Sequence, residues 1–217
     1  MSSVVTRAHP ADRSAGCRRA IAHQQGYSLV DLLLVVALVG VIAGMAVPVT
    51  GSAVAGQRFK GSAQAVTQMV GLAKMRASAT FTRARVRVNL DTNSFLLERW
   101  DKTANAWVAE GGSTWTAAGV TFGFAGLGQP PPNTQATIGL SPACRTGTSA
   151  ASPVINNTAC VIFNSRGLPV NGAGALFGGH ALYLTDGIAV SATTVTATPR
   201  IRRWSSWVRA VNWREQL

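Results

Sequence analysis

From Leu29 to Val49 the chain is apolar at nearly every position, and a single charge, Asp31, interrupts it. As a helix such a run reaches roughly 30 Å, the hydrocarbon thickness of a bilayer. Beyond it the pattern thins. Phe59, Ala63, Val66, Val70, Ala73 and Ala77 recur at steps of three and four, which predicts an amphipathic helix with its stripe packed on a sheet. The other side carries Arg58, Lys60, Gln64, Gln68 and Lys74. Between the two stretches stand Pro48, Gly51, Gly56 and Gly61. Each glycine is about 1 kcal/mol poorer than alanine in a helix, so the join is expected to be its weakest part.

After residue 80 the period becomes two. Ala84, Val86, Val88 and Leu90 alternate with Arg83, Arg85, Arg87 and Asn89, a half-buried strand with a basic outer face. Turn residues at Asp91–Asn93 and Asp101–Asn105 separate Phe95–Trp100 and Trp107–Val108, so an antiparallel meander is expected. Residues 111–158 are rich in Gly, Pro, Ser, Thr and Asn. They read as long loops holding short strands at Val120–Phe124 and Ala136–Leu140. Further strands are predicted at Ala159–Phe163, Ala181–Thr185, Ile188–Thr196 and Arg200–Arg209. The fold class is α+β: a long N-terminal helix, membrane-spanning in its first half, packed on a C-terminal antiparallel β domain.

Orientation follows from charge. Arg7, Arg13, Arg18 and Arg19 precede the apolar run, against Asp12, which keeps that side cytoplasmic and sends the C-terminal side outward. A secretory signal places its small-residue cleavage site after the apolar core. Here the small residue, Gly26, comes before it. An uncleaved signal anchor is the other reading of the same composition. Asp31 is costly in an apolar helix unless paired or near head groups. It can lie at the interface, cap the helix N-terminus, or answer a positive charge from another chain.

The residues Gly26-Tyr27-Ser28-Leu29-Val30-Asp31 resemble the signal of type IV pilins and type II secretion pseudopilins: glycine, an aromatic or apolar residue, then an acid five residues on. That resemblance implies a prepilin peptidase that cuts after Gly26 and methylates the amino group of Tyr27. It also implies that Asp31, an aspartate where the family nearly always has glutamate, neutralises a neighbouring subunit's amino terminus. Pro48 falls where the family carries its helix-bending proline. The resulting division is a cleaved basic leader over 1–26, a transmembrane helix over 27–49, a periplasmic amphipathic helix over 50–80 and a β-rich domain over 81–217. The order of elements, Phe163 to Gly167 and the basic-aromatic stretch from Arg200 to Trp204 are similar to the GspH/FimT group of this superfamily.

Composition narrows the partners. The chain has 217 residues, a formal net charge of +12 and only eight acids, so nucleic acid, anionic lipid and acidic protein faces are the fitting classes. Cutting at Gly26 removes Cys17 and leaves Cys144 and Cys160 as an even pair on the exported side. As a disulfide they contribute about 3 kcal/mol; two unpaired buried thiols are the alternative. His180 is the one histidine beyond the leader, and with two cysteines it falls short of a usual zinc site. No phosphate loop or dinucleotide motif occurs, and neither cofactor nor enzymatic activity is expected.

The C-terminal stretch carries Arg200, Arg202, Arg203, Arg209 and Arg214 against Glu215, interleaved with Trp204, Trp207 and Trp213. Arginines supply phosphate contacts and aromatics stack on bases or cover apolar ground. Three readings stay open: a charge-protected edge strand, a DNA contact through Arg200, Arg202, Arg203 and Arg209, joined by Arg83, Arg85 and Arg87, and a contact with other pilins or acidic surfaces. FimT-like minor pilins are associated with DNA uptake, and the resemblance implies such a subunit of a type IV pilus with partners in the filament and the inner membrane. A GspH-like pseudopilin of a type II secretion system is the alternative, and a single-pass membrane enzyme or sensor the second.

Overall fold

The computed structural model describes residues 28–216, with the side chains of residues 45–50 and 52 outside the description. The leader, with Gly26 and Tyr27, lies outside the described residues. The chain divides into two compact units, Met1–Val47 and Pro48–Leu217.

Helix α1 runs from Leu29 to Ala79. At its start Ser28 Oγ accepts the Val30 N–H at 3.3 Å, and Asp31 lies in the first turn, where the helix dipole favours an anion. In the first unit the large apolar side chains from Leu29 to Ile42 are 55–74% exposed, so no described residue covers them. Among the described residues no helix is long and apolar enough to cross a membrane; the side chains of the run are described only to Gly44.

Among the described residues the second unit adds eleven strands. One sheet has the order β3 (Ala106–Ala109), β2 (Ser94–Asp101), β1 (Ala84–Asn89), β6 (Thr158–Phe163), β7 (Pro169–Val170), with β4 (Thr114–Trp115) also on β2. The other has the order β11 (Ala210–Gln216), β10 (Ile201–Trp207), β9 (Ala189–Val195), β8 (His180–Thr185), β5 (Thr121–Phe122). All pairings are antiparallel. We call these the first and second sheets.

The periodic stripe of the helix is the centre of the fold. Phe59, Ala63, Val66, Val70, Ala73 and Ala77 are all buried. Phe59, Val66 and Val70 share one core with Val86, Val88 and Phe95 of the first sheet and Leu182, Leu184 and Val195 of the second. Each sheet therefore turns one face to the helix, and alternation along the strands leaves the other face to be covered by something else. Gly167 closes the turn between β6 and β7 with φ +70, and a Cβ there would meet Ser78 Oγ at 2.8 Å. Glycine is needed both for the left-handed conformation and for the approach to the helix.

The loop between β5 and β6 supplies the missing covers. Its first part lies on the outer face of the second sheet, where Phe124, Leu127, Ile138 and Leu140 pack around Tyr183, Ala192 and Trp204. Its second part lies on the outer face of the first sheet, where Cys144 and Ile155 pack with Cys160, Ile162 and Val170. A disulfide joins Cys144 to Cys160. Three sequence expectations change. Ala136–Leu140 is not a strand but part of this cover: Ile138 and Leu140 pack onto the sheet face, and the segment joins no strand edge. Of Val120–Phe124 only Thr121–Phe122 pairs, at the end of β8. Arg200–Arg209 is not one strand: it turns after Trp207, and the chain returns as β11.

Candidate nucleic-acid interface

The hairpin β10–β11 carries the basic stretch, and its pairing decides which arginines meet. Ile201 packs toward the helix-facing core, so Arg203, Ser205 and Trp207 share its side of the sheet by alternation. Ser205 lies opposite Arg214 and Arg203 opposite Gln216; Gln216 Nε2 donates to Ser205 Oγ at 2.9 Å, which fixes both on that side. Arg203 and Arg214 are thus diagonal neighbours, within reach of one ligand. Trp207, 61% exposed, stands at the far end of β10 from Arg203, beyond a register shift after Ser205.

Arg202 points the other way. Its Nε lies 3.4 Å from Glu215 Oε1, on the side where Trp204 is buried and donates from Nε1 to Thr194 Oγ1 at 3.0 Å. Trp213 is on that side too, donating to the Gln129 carbonyl at 2.9 Å. Arg200 and Arg209 are both exposed but stand just beyond the two ends of β10, roughly 25–30 Å apart for an extended segment. Of the four arginines named from the sequence, Arg202 and Arg203 point to opposite faces and Arg200 and Arg209 stand at opposite ends, so the hairpin does not gather them on one face. Lys74 stands at the Arg200 end: its ammonium donates to the Pro199 carbonyl at 3.1 Å. Arg214 was legible as a charge, but only the return of β11 makes it a neighbour of Arg203.

The basic face of β1 does not join this patch. Arg85 is 1% exposed. Its Nε donates to Glu98 Oε2 at 2.5 Å and its Nη1 to the Arg145 carbonyl at 2.6 Å, and its guanidinium lies 4.0 Å from the centre of the Trp107 ring. Burial lowers the Arg85 pKa, and the Glu98 charge and hydrogen bond oppose that. Arg87 lies 3.4 Å from the same carboxylate, and Arg83 donates to the Thr148 carbonyl at 2.7 Å. The expected basic outer face is therefore covered and largely neutralised, because residues 141–157 fold over it and their carbonyls accept its donors.

His180 belongs to the same covered side. Its Nε2 is 3.0 Å from the Val170 carbonyl, so Nε2 carries the hydrogen and Nδ1, which has no partner, is an acceptor. Burial holds its pKa down to about 4. Asp186, at the far end of β8, is engaged with its own turn, accepting from Ile188 and Ala189. The two do not form a site.

No family model matches the chain, and no curated protein matches it. Among solved structures it is similar to the minor pseudopilin EpsH from the type 2 secretion system of Vibrio cholerae. One such structure matches at 14% identity over 73% of this chain and 96% of that chain, with a TM-score of 0.35. A crystal structure of the same pseudopilin matches at 14% identity over 68% and 93%, with a TM-score of 0.41.

Proposed function

We propose that this chain is a subunit of a pilus or pseudopilus, held in the inner membrane by the first part of α1 until it enters the filament. The observation that carries the reading is the division of labour along one helix. From Leu29 to Ile42 its large side chains have no cover among the described residues, whereas from Phe59 to Ala77 it is the core of a β domain. An uncovered apolar helix needs lipid or other helices around it. The signal from Gly26 to Asp31 supplies the processing step, with Pro48 behind it.

The test is processing. Co-expressed with a prepilin peptidase, the chain should begin at Tyr27 and carry a methyl group on its new amino terminus, read as intact mass. Replacing Gly26 with valine should leave the leader in place. A chain that keeps its leader beside an active peptidase would return the reading to a signal-anchored enzyme or sensor.

The finer reading is a FimT-like minor pilin that contacts DNA, in preference to a GspH-like pseudopilin. What supports it is the side of the hairpin where Arg203 and Arg214 adjoin, with no carboxylate partner among the described residues. In detergent the full chain should bind duplex DNA with a steep dependence on salt. Arg203→Gln with Arg214→Gln should weaken it more than Arg202→Gln, whose side chain already faces Glu215. Absence of binding at low salt would favour the secretion pseudopilin.

A further inference from the structure

Beneath the segment that covers the outer face of the first sheet lies a cleft of about 300 Å³, at the small end of the range for ligand sites. Cys160, Ile162 and His180 line its buried side. Ala143, Ala150 and Val154 are exposed at its rim, so an apolar lining opens to solvent. The Cys144–Cys160 disulfide tethers the segment that carries this rim to the sheet below, which holds the cleft in one shape before anything binds.

Two polar groups interrupt the lining. The first is Arg145, whose Nη1 donates to the Ser152 carbonyl at 2.6 Å. Its Cδ and Nε lie against Gly172, where a Cβ would meet them at 3.0 and 3.2 Å. The side chain is held at the wall, yet Arg145 is in none of the ion pairs among the described residues, and the rest of its planar fork of donors is uncommitted. The second is His180. Its Nε2 is spent on the Val170 carbonyl, and Phe177 stands edge-on to the ring at 4.8 Å. Among the described residues its Nδ1 is the one buried side-chain nitrogen or oxygen without a partner, and folds seldom keep such an atom without a use.

The chemistry of the two groups limits what fits. Burial keeps the His180 ring neutral at ordinary pH, so Nδ1 accepts a hydrogen and has none to give. A carboxylate set against it would bring oxygen lone pairs to a nitrogen lone pair. An ammonium would be repelled by Arg145. A hydroxyl toward His180 and a carboxylate toward Arg145 satisfy both. We infer that this cleft binds a small hydroxy acid whose carboxylate pairs with Arg145, whose hydroxyl donates to His180 Nδ1, and whose apolar body lies on Ile162 and Val154. The site lies wholly within the second unit and does not depend on the membrane or DNA readings.

Titration of the full chain in detergent at pH 7 with meta- and para-hydroxybenzoate tests it, since the two isomers hold hydroxyl and carboxylate at different spacings. At least one should bind about tenfold more tightly than benzoate, which lacks the donor. It should also bind about tenfold more tightly than the matching hydroxybenzamide, which lacks the charge. Arg145→Gln should remove the preference for acid over amide, and Arg145→Lys should restore part of it. The hydroxyl contact is read on the ring-nitrogen NMR resonances of His180, recognised as the ring that does not titrate above pH 5. Hydroxybenzoate should move Nδ1 and benzoate should leave it in place. Equal binding of all the probes, or a preference that survives Arg145→Gln, overturns the site. A bound hydroxybenzoate that leaves Nδ1 unmoved overturns the hydroxyl contact, and inorganic phosphate binding as tightly as the hydroxybenzoates overturns the hydroxy acid as ligand.

Discussion

β1 and β10 carry arginine at similar density, and the two strands end in opposite surroundings. Along β1, Arg85 and Arg87 share Glu98, Arg83 just before it is tied to a loop carbonyl, and a disulfide-tethered segment buries Arg85. Along β10, Arg202 has one partially exposed partner and Arg203 is half-buried, in none of the ion pairs among the described residues. Strand alternation treats the two alike. What separates them is whether a remote segment lies on top, and with it whether charge serves to hold the fold together or remains available to a ligand.

The covered side is disrupted most severely by removing its carboxylate. Glu98→Ala leaves Arg85 buried without its counter-charge and should cost about 3–5 kcal/mol, read as a fall in the denaturant midpoint. Releasing the cover comes next. Replacing Cys144 and Cys160 with serine should cost about 3 kcal/mol and open the Arg85 region to hydrogen exchange before the helix-facing core.

A pH titration sharpens the same contrast. His180 falls from an ordinary 6.5 to about 4 on folding, so the folded state binds its proton less readily than the unfolded chain. Its stabilising contribution is complete above pH 6.5, declines as the pH drops from 6.5 toward 4, and amounts to about 3 kcal/mol at most. His180→Gln should remove that slope, measured as the difference between unfolding midpoints at pH 7 and pH 4.5. The smallest effect belongs to the open side: Arg202→Gln should change stability by about 0–1 kcal/mol, with the loss shrinking in salt.

Periodicity made the helix stripe legible, and each of its six named positions is buried, because a long amphipathic helix has one way to face a core. The Cys144–Cys160 pairing was legible from the even pair of cysteines that follows the apolar run. The covered arginines were not. Arg83, Arg85 and Arg87 alternate with Ala84, Val86 and Val88, and nothing in that alternation tells which segment will fold over the arginine side. The cover lies about sixty residues on, with Arg145, in a stretch whose composition reads only as loop. β11 was hidden for a related reason: Ala210–Gln216 mixes apolar and polar residues without clean alternation, and it becomes a strand because β10 offers it an edge.

One short contact bears on how the domain carries load. Ser141 donates from its backbone N–H and from Oγ to the Ala181 carbonyl of β8, at 2.8 and 3.0 Å. The next residue, Pro142, accepts the Cys160 N–H of β6 at 2.9 Å. Two consecutive residues thus stitch one sheet to the other. A pull along α1 reaches both sheets through the shared core, and parting them must also break these three bonds, which tie the sheets together outside that core.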